Sequence, residues 1–188
     1  NQTVRIYQYD ATVTGSWKQL GTTLLDEFGS SGHFGEKMRL NAAGDMIIIG
    51  NRHDVAGTIQ IYKYQNDDWF QVGETIYGIS NSQFGRAVAI SDDGTRVVAG
   101  GYLADLNGND SGYVQAFQWS IKAPYVDPML TISDGVVTLG GAADDVVSNY
   151  AVNQLGITIF GESAANHFGA SAEMNKDGSI VVIGAPGF

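Results

Sequence analysis

The stretch Ile59-Gln60-Ile61-Tyr62-Lys63-Tyr64, Trp69-Phe70-Gln71-Val72-Gly73, Gln83-Phe84-Gly85 and Asp93-Gly94-Thr95-Arg96-Val97-Val98-Ala99-Gly100 decides the fold, because its order of residues recurs along the chain. An earlier copy reads Val4-Arg5-Ile6-Tyr7-Gln8-Tyr9, Trp17-Lys18-Gln19-Leu20-Gly21, His33-Phe34-Gly35 and Ala43-Gly44-Asp45-Met46-Ile47-Ile48-Ile49-Gly50. Later, Tyr113-Val114-Gln115-Ala116-Phe117-Gln118-Trp119 opens a third copy. The series closes on Gln154-Leu155-Gly156-Ile157-Thr158-Ile159, His167-Phe168-Gly169 and Asp177-Gly178-Ser179-Ile180-Val181-Val182-Ile183-Gly184. Self-similarity at such a period marks a repeat architecture and takes precedence over local signals.

Inside each copy the first run alternates apolar and polar residues, the period of a strand with one face inward. Runs such as Ile47-Ile48-Ile49 and Val181-Val182-Ile183 are continuous and β-branched, as in strands buried on both faces. The pairs Asp93-Gly94, Asp134-Gly135 and Asp177-Gly178 read as type I′ hairpin turns. No window sustains a helical period, so the chain is expected to be all-β with almost no helix. Units of about 40 to 50 residues holding four short strands are the signature of β-propeller blades, each a four-stranded antiparallel sheet.

The number of copies has two readings. Leu130-Thr131-Ile132-Ser133-Asp134-Gly135-Val136-Val137-Thr138-Leu139-Gly140-Gly141 resembles the turn and strand around Gly94, and reads as a degenerate copy. The turn glycines then fall at Gly44, Gly94, Gly135 and Gly178, at intervals of 50, 41 and 43 residues. This gives four approximate repeats, 4–58, 59–112, 113–149 (degenerate) and 150–188. The alternative is three repeats with one long insertion.

Composition narrows the function. A net charge of −10 would repel a phosphate backbone, so nucleic acid is not an expected partner. Cations, sugars and basic protein patches suit that charge. Cysteine is absent, which removes disulfides, thiol catalysis and zinc–thiolate sites. No apolar run approaches the roughly 20 residues of a spanning helix, so direct membrane insertion is not expected. Asn1-Gln2-Thr3-Val4-Arg5 does not resemble a signal peptide, and a mature chain or a piece of a longer one is expected.

The series Phe-Gly, strand, Gly-Ala-Pro resembles the FG-GAP repeat of integrin-α-type propellers. Gly184-Ala185-Pro186 matches its closing motif, while Gly50-Asn51-Arg52 and Gly100-Gly101-Tyr102 depart from it. The Trp-x-Gln-x-Gly framing and the Ser91-Asp92-Asp93-Gly94 turn are similar to FG-GAP-like repeats in large secreted proteins of marine bacteria and algae. The resemblance spares only about 121–129 and 142–153. It implies an extracellular propeller, either a small four-bladed unit or part of a larger one.

Integrin-type blades carry Asp-x-Asp-x-Asp-Gly calcium loops, which this sequence lacks, so calcium is not carried over from the family. Asp105, Asn107 and Asn109 do offer oxygen donors at alternate positions, a weak calcium candidate beside the plainer reading of a polar interblade loop. Asp144-Asp145 is weaker still. His33 and His167 precede Phe-Gly where the second copy has Gln83, which points to a side chain bonding the blade backbone; His53 stands alone. Trp17 and Trp69 recur with the repeat and read as packing between blades. Tyr7, Tyr9, Tyr62 and Tyr64 suit strands, with a sugar-stacking surface as the alternative. Asn1 and Asn109 fit the N-glycosylation sequon. No nucleophile-elbow, zinc-helix or phosphate-loop pattern occurs.

The expectation is therefore a non-catalytic extracellular or cell-surface propeller, serving adhesion or structural assembly through protein or glycan contacts. A polysaccharide-acting propeller enzyme and a calcium-dependent ligand-binding module are the alternatives. Fold alone does not select among them.

Overall fold

A computed structural model describes residues 2–12, 15–26, 32–52, 56–121, 131–133, 136–138 and 150–187, the stretch 131–138 as backbone only. Among the described residues the chain is all-β, with antiparallel sheets and no helix. Alternating and β-branched runs become strands; glycine turns the chain at 44, 94 and 178, and Asn66-Asp67, both at positive φ, turn it between Gln65 and Asp68.

The first strands form two short pairs. β1 (Thr3–Val4), β2 (Tyr7–Asp10), β3 (Ser16–Gln19) and β4 (Leu24–Leu25) pair β1 with β4 and β2 with β3. A complete sheet follows, in the order β5 (Lys37–Leu40), β6 (Met46–Asn51), β7 (Thr58–Gln65) and β8 (Asp68–Gln71), with β9 (Ile76–Tyr77) also on β7. The second complete sheet is β10 (Ala87–Ile90), β11 (Arg96–Gly101), β12 (Tyr113–Ile121) and β15 (Tyr150–Phe160). Between the last two lies a separate hairpin, β13 (Thr131–Ser133) and β14 (Val136–Thr138). The chain closes on the pair β16 (Ser171–Met174) and β17 (Val181–Gly184).

Register shows which pieces are equivalent. Thr3↔Leu25 and Tyr9↔Trp17 repeat as Thr58↔Tyr77 and Tyr64↔Trp69. Thus β1–β4 correspond to the outer half of the first complete sheet. Ala87↔Gly100 repeats as Ser171↔Gly184, so β16–β17 correspond to the inner half of the second.

Consecutive units meet through glycine. A Cβ added at Gly50 would lie 2.1 Å from the Gly85 carbonyl oxygen, and one at Gly100 would lie 2.3 Å from that of Gly169. Backbone therefore packs on backbone, and parallel bridges Gly57↔Phe84 and Gly112↔Phe168 join the same seams. Phe84 is fully buried and stacks on Tyr113 with ring centroids 5.6 Å apart. Beyond it, β10 packs against β5 and β6 on one side and β16 on the other. The described sheets do not close into a ring.

One expectation is corrected. The turns at Asp93-Gly94 and Asp177-Gly178 are not type I′: within them, as in the turn at Gly44, positive φ falls on the glycine alone, at +75° and +69° against +73° at Gly44. Each turn spans four residues, with Gly94 N–H donating to the Ser91 carbonyl at 2.9 Å and Gly178 N–H to Asn175 at 3.0 Å. This is a type I turn followed by a left-handed glycine. The Asp before the glycine spends its carboxylate on the residue after it, Asp93 on Thr95 and Asp177 on Ser179. The strands on either side of the expected boundary 149/150 belong to one sheet, as do those flanking 112/113: β12 pairs directly with β15 from Tyr113↔Phe160 to Ile121↔Tyr150, and β11 with β12. Ile121 and Tyr150, which flank 122–149, are partners in that sheet. Of the quoted degenerate copy, Asp134 and Gly135 lie outside the described residues, as do Asp144, Asp145 and His53.

Candidate interaction surface

The Phe-Gly turns place equivalent residues of successive units side by side. In each, a main-chain bond closes the turn: Glu36 N–H to the His33 carbonyl, Arg86 to Gln83 and Ala170 to His167, at 3.0–3.3 Å. Gln83 and His167 adopt φ near +50° to do so. The expected side-chain bond to the blade backbone is not what His33 and Gln83 make. His33 Nδ1 lies 3.3 Å from Glu36 Oε2, and Gln83 Oε1 accepts from Arg52 Nη1 at 3.3 Å and Tyr102 Oη at 3.0 Å. The reason is positional: the main chain already satisfies the turn, leaving His33 to meet Glu36 of its own turn and Gln83 to reach Arg52 across the seam.

Arg52 completes the connection, donating from Nε to Glu36 Oε2 at 2.7 Å. Arg86 lies over the Tyr102 ring, whose edge meets His167 at 5.7 Å. Burial opposes ionisation of Glu36, but Arg52, Arg86 and His33 together hold its carboxyl below the usual range. The result is a polar arc across three units, fit to clamp neighbours electrostatically. Arg52 and Tyr102 both occupy the place of Pro in Gly-Ala-Pro, so departures from the motif supply the cross-seam contacts. That substitution was the available sequence signal, and it was read only as divergence.

Side chains of the 105–111 loop bond within the loop and to the Gly161 carbonyl. Asp105 Oδ1 accepts the Asp110 N–H at 2.8 Å, Asn107 Nδ2 donates to the Gly161 carbonyl at 3.1 Å, and Asn109 Nδ2 donates to Asp110 Oδ2 at 3.3 Å. Asn109 and Asp110 carbonyls accept from Ala165 and His167. Among the described residues no three His, Asp or Glu side chains gather as a metal site. Asn109 is exposed, and Asn1 lies outside the described residues.

Other carboxylates serve turns. The Ser91 hydroxyl, then the Thr95 N–H and hydroxyl, keep Asp93 below its ordinary pKa despite burial. Ser179 does the same for Asp177, and the Thr22 N–H leads for Asp68.

Apolar exposure concentrates on the first and last units. Trp69 is buried, with its Nε1–H donating to the Leu20 carbonyl at 2.8 Å, whereas its counterpart Trp17 is 64% exposed and touches Tyr9 edge-on. The packing role expected of both is thus seen at Trp69. Of the tyrosines, Tyr62 is buried and Tyr7 and Tyr9 are exposed. A groove of about 320 Å³ beside Tyr9 is lined by Gln8, Asp10, Ala11 and Lys18. At the other end Ile157 is 86%, Val182 68% and Ile180 61% exposed. No protein-family model matches this chain, and no curated protein matches it, so the functional reading rests on these surfaces.

Proposed function

We propose that the chain is a run of FG-GAP-type β-propeller blades that works without catalysis, outside the cell or at its surface, in adhesion or structural assembly through protein contacts. Four-stranded antiparallel sheets meeting through Phe-Gly turns support the propeller, as do the adjacent first strands β5, β10 and β16. The pairing of β12 with β15 favours three copies with an insertion at 122–149 over four copies.

The observation carrying the assembly reading is β17, whose Val182 is 68% exposed while its equivalents Ile48 and Val98 are fully buried by the unit that follows them. Apolar strand faces that no described residue covers suit docking of protein. Beads coated with the chain are expected to hold to cells of its source, and the exposed-site pair Ile157→Lys with Val182→Lys is expected to release them. Beads that never hold, or polysaccharide cleaved by the purified chain, would overturn this reading.

Glycan contact is a second reading, supported by the Tyr9–Trp17 rings beside a groove lined with polar groups. It predicts binding on a glycan array that Tyr9→Ser abolishes.

A further inference from the structure

Successive Phe-Gly turns put equivalent positions to opposite uses. The residue after Phe-Gly is Glu36 at the first turn and Arg86 at the second, and the residue two places after the glycine of the next strand is Arg52 and then Tyr102. At the first turn these two positions form a complete ion pair, Arg52 Nε donating to Glu36 Oε2 at 2.7 Å. At the second the guanidinium is present, and Tyr102 stands where its acid would be. We propose that Arg86, held over Tyr102, is a binding site for one carboxylate of a protein partner, an aspartate or glutamate side chain on the partner's surface.

The chain itself spends its other arginines. Arg5 donates to Thr23, Arg39 to Glu173 and the Met38 carbonyl, Arg52 to Glu36 and Gln83, and Arg96 to the Asp177 carbonyl. Among the described residues no acceptor bonds the Arg86 guanidinium, and no carboxylate lies at ion-pair distance from it. Glu36 feels the charge of Arg86, yet its carboxylate is already engaged by Arg52 and His33. Arg86 is half-buried, so its N–H donors remain in reach of a ligand.

The support of this guanidinium is built in advance. Arg86 lies 5.9 Å from the centre of the Tyr102 ring, a cation–π contact. Tyr102 is fixed in turn, its hydroxyl donating to Gln83 Oε1 at 3.0 Å and its ring meeting that of His167 with centroids 5.7 Å apart. Gln83 and His167 hold φ at +52° and +53°, a left-handed conformation that glycine would adopt at less cost. Glycine there would also remove both supports of Tyr102, and backbone strain of this kind concentrates at ligand clamps. A ring fixed beforehand lowers the cost of ordering the guanidinium on binding. Its planar fork of N–H groups matches the two oxygens of a carboxylate.

Charge selects the partner. The chain carries 20 acidic residues against 10 Lys and Arg, so an anionic polymer would meet repulsion beyond its first charge. With Arg52 already paired to Glu36, the arc has one guanidinium to give. A single carboxylate on a protein surface matches it, whereas a row of uronates finds no second unengaged arginine among the described residues. This site goes beyond the apolar faces of the assembly reading and does not depend on them.

The test follows the arginine Nε–H signals of the 188-residue chain by proton–nitrogen NMR. The probe is the blocked tripeptide Gly-Glu-Gly, added at constant ionic strength. The Arg86 signal is expected to shift and saturate while those of Arg52 and Arg96 stay still, and Gly-Gln-Gly is expected to move none of them. In Arg86→Gln, amide shifts at Tyr102 and His167 should report binding weakened roughly tenfold or more. Signals unchanged elsewhere would show that this variant stays folded. An Arg86 signal that moves no more than the other arginines, equal shifts with the glutamine peptide, or undiminished affinity in Arg86→Gln would overturn the site. A glucuronate oligomer that binds more tightly per carboxylate than the peptide would overturn the assignment to protein. Release of coated beads by Ile157→Lys with Val182→Lys does not involve Arg86, so either proposal can fail alone.

Discussion

In the second unit Val98 lies fully buried among Ala87, Ala89, Val114 and Ala172, while in the third its counterpart Val182 stands 68% exposed. The two runs, Arg96-Val97-Val98-Ala99-Gly100 and Ile180-Val181-Val182-Ile183-Gly184, share length, pattern and pairing with the strand before them. They differ in what comes next. β11 is flanked by β12 and faced by β16, whereas β17 has neither a third strand nor a following unit among the described residues. A continuous β-branched run thus declares that it can be buried on both faces, and the neighbouring unit supplies the burial.

The contrast is most easily broken at the tryptophans. Trp69→Ala is expected to cost about 3–5 kcal/mol, because it empties the seam against Leu20 and Gly21. Trp17→Ala should change stability by less than about 0.5 kcal/mol in the single chain. Urea unfolding measures both, and equal costs would mean that Trp17 is covered as Trp69 is.

The glycines give the next largest difference. Gly100→Ala drives a methyl into the Gly169 backbone and is expected to cost about 2–3 kcal/mol. Gly184→Ala meets only the Ser171 hydroxyl, which can rotate away, so its cost should stay below about 1 kcal/mol. Val98→Ala follows at about 2 kcal/mol, from lost burial and the cavity left behind, against no more than about 0.5 kcal/mol for Val182→Ala. The same unfolding curves rank all four.

Acid sensitivity should be the feature the two units share. Asp93 and Asp177 have folded pKa values below their ordinary ones, so the native state binds fewer protons than the unfolded chain as pH falls. Their contribution is present above the ordinary carboxylate range and is lost below about pH 4. Thermal midpoints between pH 6 and pH 3 should drop, and Asp93→Asn and Asp177→Asn should each blunt the drop by a similar small amount. A much smaller effect at Asp93 than at Asp177 would show that burial, which opposes ionisation, offsets the turn bonds there.

Much of the local structure was legible from the sequence because it depends on short-range chemistry. The alternation in Ile59-Gln60-Ile61-Tyr62-Lys63-Tyr64 became β7, and glycines at 44, 94 and 178 became the turns. The turn type was misread because Asp-Gly fits two geometries, and the choice depends on Asn41, Ser91 and Asn175 three residues earlier. Each of them supplies both ends of the turn closure through its main chain and an acceptor side-chain oxygen. The similarity of 130–141 to the Gly94 hairpin concealed that β12 and β15 meet around it; strand pairing is long-range and leaves no fixed spacing. Asn51, fully buried and bonding both His33 N–H and Asp26, was passed over because a lone Asn in a divergent motif has no periodic signal.

The sequence by itself determined the strands, the turn glycines and the repeat, since β-branched alternation and left-handed glycine are properties of a few adjacent residues. Tertiary structure alone decided which of the equivalent residues are covered by a neighbouring unit. It buried Trp69 and left Trp17 bare, and it opened Gly44 and Gly156 while filling Gly94 and Gly73. Burial belongs to a residue and its neighbour together, and identical runs acquire different neighbours only when the units stack.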